Sequence, residues 1–239
     1  MIEDFRTSKC CKTNKINLNF NSKFIQTKGL IHYWPFNLNL NDIIGLSHLV
    51  NGINASLSND RFNKPLSSLC LKTGYYKLPS GIYFPNSNFT IAAWANVNKF
   101  NKWSRLIQFA DGNDSRNAID ISFTNYTYGF PSFSIRNQSN QFRVISPAPL
   151  TKNNWFYIAC TYEYPYLSLY LDGILMISLR SPIYILNIDK TRSFVYIGRS
   201  WNEQNGDMNA DAKIDELKIF NRALNQNEIN FEMNNNIFN

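Results

Sequence analysis

Histidine and cysteine are scarce in this sequence, which leaves little material for a transition-metal site or a disulfide framework. Its 239 residues include two histidines, His32 and His48, and four cysteines. No cysteine pair has the CxxC spacing of a zinc or redox site. Cys70 and Cys160 lie within apolar, strand-like runs, so we interpret them as small buried hydrophobic side chains rather than as a disulfide. A histidine-rich metal site is not expected.

Long apolar runs are also missing. No uninterrupted apolar stretch reaches about 18 residues, so the sequence predicts no transmembrane helix. The first 15 residues lack the apolar segment of a signal peptide, and none is visible. Residues 1–27 are polar and basic without a regular period. We interpret them as a leader or linker.

The charge is positive but not concentrated. The chain has 24 Lys and Arg against 17 Asp and Glu, a net charge of +7. Because no helix carries a basic stripe and no nucleic-acid-binding signature occurs, a nucleic-acid partner is not expected. The net charge instead favours anionic partners, such as acidic glycans or a membrane surface.

Short strand-like runs fill the rest of the chain. Hydrophobic residues make up 44% and aromatic residues 15% of the sequence, enough to form a core. From residue 28 onward, about a dozen apolar or alternating runs are separated by Asn, Gly, Asp and Pro, with no helical segment between them. This texture predicts one all-β domain over residues 28–239, built as an antiparallel two-sheet β-sandwich of the jelly-roll type.

Two runs alternate with the period of a strand. In FTIAAWANV one face is expected to carry Phe89, Ile91, Ala93, Ala95 and Val97. In AKIDELKIF strict alternation puts Ala212, Ile214, Glu216, Lys218 and Phe220 on one face. It puts Lys213, Asp215, Leu217 and Ile219 on the other.

Two further signals are local. Asp172 and Gly173 separate two strand-like runs in LSLYLDGILMISL, which predicts a hairpin because Asp-Gly readily adopts positive φ angles. Near the end of the chain, Asn221 or Asn225 is placed to cap a short helix. Its apolar residues are expected to pack on the sandwich: Leu224, Ile229 and Phe231.

Seven segments occur in the order that is typical of one known family: GLIHYWPFN (29–37), NDIIG (41–45), FTIAAW (89–94), NWFYIACTY (154–162), LYLDG (169–173), VYIGR (195–199) and IDELKIFNRAL (214–224). The series resembles the laminin G-like jelly-roll family of the concanavalin A-like superfamily. The resemblance implies two antiparallel sheets, one concave and one convex. It also implies an extracellular or cell-surface setting, glycan or protein partners, and in many members a structural calcium ion.

The resemblance also suggests ligands for such a calcium ion. Asp42 matches the family's acidic position after the first strand, and Asp215 matches the one on the last strand. Asn51 would add an amide or carbonyl oxygen, the kind of ligand that calcium prefers. Asn37 stands where many members have Asp, which removes one negative charge. The alternative is that Asp42 starts a turn and Asp215 accepts backbone hydrogen bonds.

Loop segments rich in aromatic and polar residues are candidates for sugar binding. Aromatic faces pack on the apolar side of a sugar ring, while amides, carboxylates and Arg bind its hydroxyl or acidic groups. The candidate ligand-binding residues are Trp103, Arg105, Tyr126, Tyr128, Arg199 and Trp201. The alternative is that these aromatic side chains cover the edges of the sandwich.

A catalytic role is not expected. Jelly-roll glycosidases of this superfamily place two carboxylates on one strand, two to four residues apart, and no E-x-D-x-E or E-x-D-x-x-E pattern occurs here. The densest strand acids are Asp211, Asp215 and Glu216. Asp211 and Asp215 have even spacing, but the resemblance places them in the family's packing and metal position. The leading hypothesis is a noncatalytic extracellular module that binds a glycan, with an anionic glycan favoured by the charge. The alternative is a structural or protein-interaction module, such as one adhesive unit of a larger protein, without affinity for sugars.

Overall fold

The computed structural model describes residues 28–111, 114–137, 140–184 and 190–235. The predicted leader or linker, residues 1–27 with Cys10 and Cys11, lies outside this range. Neither helix in the described part of the chain has the length and apolar character needed to cross a membrane.

Thirteen antiparallel strands and two short helices make up the described part of the chain. The strands are β1 (Leu30–Trp34), β2 (Val50–Ser58), β3 (Ser68–Lys77), β4 (Phe89–Lys99), β5 (Arg105–Asp111), β6 (Asp114–Ser122), β7 (Ser132–Asn137), β8 (Asn140–Ile145), β9 (Trp155–Glu163), β10 (Tyr166–Leu171), β11 (Ile174–Arg180), β12 (Phe194–Ile197) and β13 (Ala210–Phe220). The helices are a 3₁₀ helix (Trp201–Asn205) and α1 (Gln226–Asn234). The prediction of an all-β jelly roll is confirmed.

The strands form one folded sheet whose two halves face each other as a sandwich. The pairing order is β11-β10-β9-β4-β13-β3-β12-β5-β6-β7-β8, with β1 added at β13 and β2 added at β3. At the far end, β10 and β11 come back into contact with β7 and β8 of the opposite layer. The hydrogen-bonded path therefore crosses between the layers through β3 and β12, and the sandwich is nearly closed.

The alternation predicted for β4 is confirmed. Phe89 and the small apolar residues that follow at every second position all lie in the main core between the layers. Trp94, on the opposite face of β4, packs instead beneath α1, with its ring centroid 5.5 Å from that of Tyr157. One strand thus supplies both the central core and the smaller core under α1.

The strict alternation predicted for β13 is wrong beyond Asp215. Asp215 pairs with Trp94, but the next pair joins Lys218 to Ala92, so β13 carries one extra residue at this point. Glu216 accommodates the bulge with a φ of 50°. A bulge exchanges the two faces of a strand. Consequently Leu217 joins the main core, whereas Lys218 does not.

The predicted hairpin and its turn are both present. β10 and β11 pair on either side of Asp172 and Gly173. These two residues have φ angles of 47° and 75°, as the two central residues of a tight hairpin turn require.

The predicted C-terminal helix begins at the second of the two candidate caps. The Asn225 side chain accepts from the backbone N–H of Glu228, and the Glu228 carboxylate accepts in return from the Asn225 N–H, a capping box. Leu224, just before the helix, and Ile229, on the helix itself, both pack into the smaller core between α1 and the sheet, as predicted. Phe231 remains half-buried outside this small core.

Cys70 and Cys160 are both free and buried, so their interpretation as small hydrophobic side chains is confirmed. Burial raises the pKa of the Cys160 thiol well above its ordinary value, with Asp120 adding to the effect. This thiol is therefore kept in its protonated, unreactive form.

Replacing Leu217 tests the bulge in β13. Because Leu217 is fully buried in the main core, we expect Leu217→Ala to lower the free energy of unfolding by about 2–5 kcal/mol. The matched control is Leu179→Ala, since Leu179 is 44% exposed on β11 and should cost far less. Urea unfolding measures both. Equal, small losses would contradict the inward position of Leu217.

Candidate functional site

The outward face of β5 to β8 is polar, although the inward face of the same strands is apolar. Gln108 of β5 lies between two core residues and points outward, opposite Asp120 of β6. Ser134 of β7 lies opposite Asp120, and Arg143 of β8 lies opposite Ser134. Cross-strand pairing therefore lines up four polar side chains in one row across the sheet.

A pocket of about 260 Å³, which we call the polar pocket, lies over this row. Two tryptophans and three arginines border it, together with carboxylate and amide side chains. Its lining consists of Trp103, Arg105, Gln108, Ala118, Asp120, Arg136, Gln141, Arg143, Trp201, Asn202 and Asp207.

A buried ion pair fixes one side of the polar pocket. The Arg105 guanidinium donates to the Asp207 carboxylate at 3.1 Å, to the Ser122 hydroxyl at 2.9 Å and to the Trp103 carbonyl at 2.6 Å. Asp207 also accepts from the Ser200 hydroxyl at 2.7 Å. Buried charges are stable only when they are paired and hydrogen-bonded in this way. The network ties β5 to the loop that carries the 3₁₀ helix.

The Gln108 amide holds the other side of that loop. Its oxygen accepts from the Trp201 backbone N–H at 2.5 Å, and its nitrogen donates to Asp120 at 3.4 Å. Asp120 accepts in addition from the Ser134 hydroxyl at 2.8 Å. Since each of these groups is held by the protein, the floor of the pocket is preorganised.

Arg143 is the least satisfied cation of the polar pocket. Its guanidinium lies over the Trp103 ring, 4.6 Å from the ring centroid, a cation–π contact. Its Nε is buried without a hydrogen-bond partner. Burial lowers the pKa of Arg143, an effect that Asp120 opposes and that Arg105 and Arg136 reinforce. An anionic group in the pocket would relieve this unfavourable environment.

Three of the six predicted ligand-binding residues meet at the polar pocket: Trp103, Arg105 and Trp201. The other three do not line it. Tyr126 and Tyr128 are exposed on the neighbouring turn, their ring centroids 6.1 Å apart, and Arg199 borders the adjacent pocket.

Sequence reasoning missed the pocket residues that come from strands. Gln108, Asp120 and Arg143 lie in strand-like runs, whereas the predicted ligand-binding residues come from segments interpreted as loops. The available signal was a polar residue between apolar neighbours, as in IQF and IDI, which on a strand predicts an outward side chain.

Asp42, a predicted calcium ligand, is fully buried and surrounded by donors. One carboxylate oxygen accepts from the N–H groups of Tyr33, Ile44 and Gly45, and the other from Ser47 N–H, with His32 Nδ1 at 2.6 Å. Burial alone would raise its pKa, but the bonds from His32 and these backbone groups outweigh it and lower the pKa to about 2. Asp42 therefore organises the turn after β1.

The other two predicted calcium ligands lie in different surroundings. The Asp215 carboxylate binds the Arg61 guanidinium at 2.6 Å, and Arg61 also reaches Glu216 at 3.2 Å. Asn51 is exposed on β2 with a φ of 50°. Over the described ranges, no three His, Cys, Asp or Glu side chains cluster so as to hold a metal ion. As arranged, the three predicted ligands do not fit a shared calcium site, and calcium binding stays a prediction.

Acid unfolding tests the environment of Asp42. A carboxylate with a pKa of about 2 in the folded protein, against an ordinary 3.8, stabilises the fold above about pH 4, and this contribution is lost as the pH falls toward 2. We expect the wild type to lose roughly 2 kcal/mol more than Asp42→Asn over this interval. Urea unfolding at several pH values measures the difference, with Glu163→Gln, an exposed acid, as control. Parallel pH profiles for wild type and Asp42→Asn would contradict the assignment.

The calcium prediction is tested by thermal unfolding with calcium and with a chelator. Since donors already occupy Asp42 and Asp215, the structure leads us to expect the same midpoint in both conditions, contrary to the expectation from the resemblance. A calcium-dependent rise that Asp215→Ala abolishes would show instead that the ion displaces Arg61.

Comparison with known proteins gives similarity at the level of the fold. A search of curated protein sequences gives no significant match. Domain 4 of AbnA, a GH43 extracellular arabinanase from Geobacillus stearothermophilus solved with arabinotriose, superposes with a TM-score of 0.67 at 14% identity, covering 85% of this chain and 98% of that one. Botulinum neurotoxin type C, which depends on two ganglioside molecules to enter cells, gives 0.67 at 13% identity, covering 89% and 52%.

The binding domain of Paraclostridial Mosquitocidal Protein 1 gives a TM-score of 0.63 at 17% identity, covering 86% of this chain and 52% of that one. The present chain thus corresponds to about half of each toxin chain. A family model described as the concanavalin A-like lectin/glucanases superfamily matches residues 71–230.

Proposed function

Since the chain belongs to the concanavalin A-like lectin/glucanases superfamily, we propose that it is a noncatalytic module whose polar pocket binds a glycan with an acidic group. The observation that carries this proposal is the meeting of two tryptophans with three guanidinium groups in one pocket. The rest of the proposal follows from the chemistry of these side chains.

The two tryptophans supply the apolar surface that a sugar ring requires. Trp103 and Trp201 are both half-buried at the border of the pocket, so part of each indole remains available to a ligand. The Asn202 amide also lines the pocket and is available to sugar hydroxyls, and Gln108 and Asp120 keep acceptor oxygens with a second lone pair. Sites of this kind combine a few aromatic faces with a small number of fixed polar groups.

The arginines favour an acidic group on the glycan. Of the three, Arg105 is neutralised by Asp207, whereas Arg143 has no ion pair with any described residue. The Nε atoms of both side chains are buried without a hydrogen-bond partner. A guanidinium binds a carboxylate through two parallel hydrogen bonds, which a neutral hydroxyl cannot match. We therefore assign Arg143 the role of binding the acidic group.

The acids of the polar pocket favour binding over hydrolysis. A glycosidase needs two carboxyl groups free to protonate the leaving oxygen and to attack or activate water. Here Asp207 is held by Arg105 and Ser200, and Asp120 by Ser134 and Gln108. Because these bonds hold both carboxylates in place, we assign them a role in positioning the neighbouring side chains and not in catalysis.

A second acidic pair lies on the other layer and is closed to solvent. Burial and the neighbouring Glu216 raise the pKa of Asp215 to about 8, against the opposing effect of Arg61. A raised carboxyl pKa is a feature of general acids when it occurs in a cleft. Asp215 and Glu216 are each only 3% exposed, so a sugar cannot reach them.

The structural neighbours support a binding module outside the cell. The arabinanase domain was solved with a bound oligosaccharide and belongs to an extracellular protein, and the type C toxin interacts with gangliosides. We accordingly propose an extracellular or cell-surface location, with other domains in a larger parent protein.

A glycan array tests the function. It should present sialylated, uronic-acid, sulfated and neutral glycans to the purified protein, with and without calcium. We expect binding to an acidic class. Trp103→Ala should weaken the affinity for this class of glycan about tenfold through lost stacking. Arg143→Gln should weaken it about tenfold or more through the loss of a charge-assisted hydrogen bond.

Arg180→Gln is the matched control, because Arg180 is exposed on β11 of the other layer and its loss changes the net charge equally. If Arg180→Gln weakens glycan binding as much as Arg143→Gln does, the loss comes from the lower net charge and not from a contact in the polar pocket. No bound glycan in any condition would overturn the proposal and favour a protein-interaction module. Release of shorter sugars on prolonged incubation would overturn the noncatalytic assignment.

A further inference from the structure

The polar row of the candidate site continues across the sheet well beyond the polar pocket. Tyr196 of β12 pairs with Gln108, Lys77 of β3 pairs with Tyr196, and Val50 of β2 pairs with Lys77. Residues directly opposite each other on neighbouring strands point to the same side of a sheet. One row therefore crosses seven strands, from Val50 to Arg143, along the outer face of the sheet, which turns from one layer to the other at β3 and β12.

The far end of this row forms a second concave site, which we call the tyrosine pocket. It has a volume of about 410 Å³ and is lined by Asn51, Gly52, Ile53, Tyr75, Lys77 and Tyr196. The rings of Tyr75 and Tyr196 meet edge to face, with centroids 5.5 Å apart. Like the polar pocket, it joins aromatic rings to a cationic side chain, Lys77.

A third cavity lies next to both pockets. This middle pocket, of about 290 Å³, is bordered by Phe194, Arg199 and the residues of the 3₁₀ helix. Trp201 borders both the middle and the polar pocket. At the other end, the Arg199 guanidinium lies over the rings of Tyr75 and Tyr196, 4.7 and 5.0 Å from their centroids. The middle pocket thus shares Trp201 with the polar pocket, and its Arg199 contacts two rings of the tyrosine pocket.

We propose that these cavities form one groove for a linear acidic oligosaccharide, in which Tyr75, Lys77 and Tyr196 make a second subsite. This inference rests on the proposed function of the polar pocket and extends it. Ligand recognition then depends on chain length, because a short oligosaccharide fills only one end of the groove.

The dimensions of the row agree with a chain of several sugars. Six steps between neighbouring strands, each of about 4.8 Å, give a path of roughly 29 Å measured along the curved sheet. Lys77 places a positive charge near the end of the row that lies opposite Arg143. Arg199 is paired with Glu203 at 2.7 Å, so the middle pocket is closer to neutral. Positive charge is thus available at both ends of the groove, where it can pair with acidic groups at the two ends of a bound oligosaccharide.

Oligogalacturonates of defined length are the probe, because they carry a carboxylate on every sugar. Isothermal titration should compare the trimer with the hexamer. For the wild type we expect the hexamer to bind at least about tenfold more tightly, as simultaneous occupation of linked subsites implies. Tyr196→Ala should weaken hexamer binding about tenfold and leave trimer binding unchanged. Trp103→Ala should weaken both.

Two further variants keep the result interpretable. Lys77→Gln removes only the charge of the second subsite, and should weaken the hexamer selectively even where Tyr196→Ala disturbs the fold. Tyr166→Ala is the matched control, since Tyr166 is 51% exposed on β10 of the other layer, and should change neither affinity.

The outcomes separate this inference from the function on which it rests. Equal affinities for trimer and hexamer, or a hexamer affinity unchanged in both Tyr196→Ala and Lys77→Gln, would overturn the second subsite and leave the polar pocket in place. If neither the trimer nor the hexamer binds and the glycan array is also negative, the proposed function itself is overturned.

Discussion

The candidate site depends on the opposite demands placed on the two faces of β5, β6, β7 and β8. Their inward face must be apolar, because it closes the core against the other layer. Their outward face does not contact this core and can therefore carry charged side chains. Since side chains alternate along a strand, each polar residue here stands between core residues that hold its backbone in place. The rigidity of the pocket is a consequence of the packing behind it.

Buried charge is the main cost of this arrangement, and hydrogen bonding offsets it. Arg105 is only 5% exposed, and its bonds to Asp207, Ser122 and the Trp103 carbonyl replace the water that it loses. Both side chains leave a buried Nε unpaired, but Arg143 has only the face of Trp103, and no carboxylate of the described residues, to compensate its charge. A site that keeps one cation incompletely satisfied in the free protein is prepared to bind an anion.

The other layer shows the same chemistry used for stability. Arg61, Asp215 and Glu216 form a buried network, and Lys218 bonds Glu232 of α1 at 2.8 Å. The bulge at Glu216 makes this network possible, because it moves Leu217 into the core and turns Lys218 toward the helix. Here every charged partner comes from the protein, whereas the polar pocket leaves room for a ligand.

The sequence by itself determined the fold class, the Asp172–Gly173 turn and the inward face of β4, because these follow from local periodicity and turn chemistry. The family was indicated by the resemblance of seven ordered segments. The sequence also identified Trp103, Arg105 and Trp201, whose loops are conspicuous. The register between distant strands was decided only by the tertiary structure. That register brought Asp120, Ser134 and Arg143 together, exchanged the faces of β13 at Glu216, and separated Asp42 from Asp215 into different networks. Pairing between strands far apart in the chain depends on the packing of the whole sandwich, which no local pattern encodes.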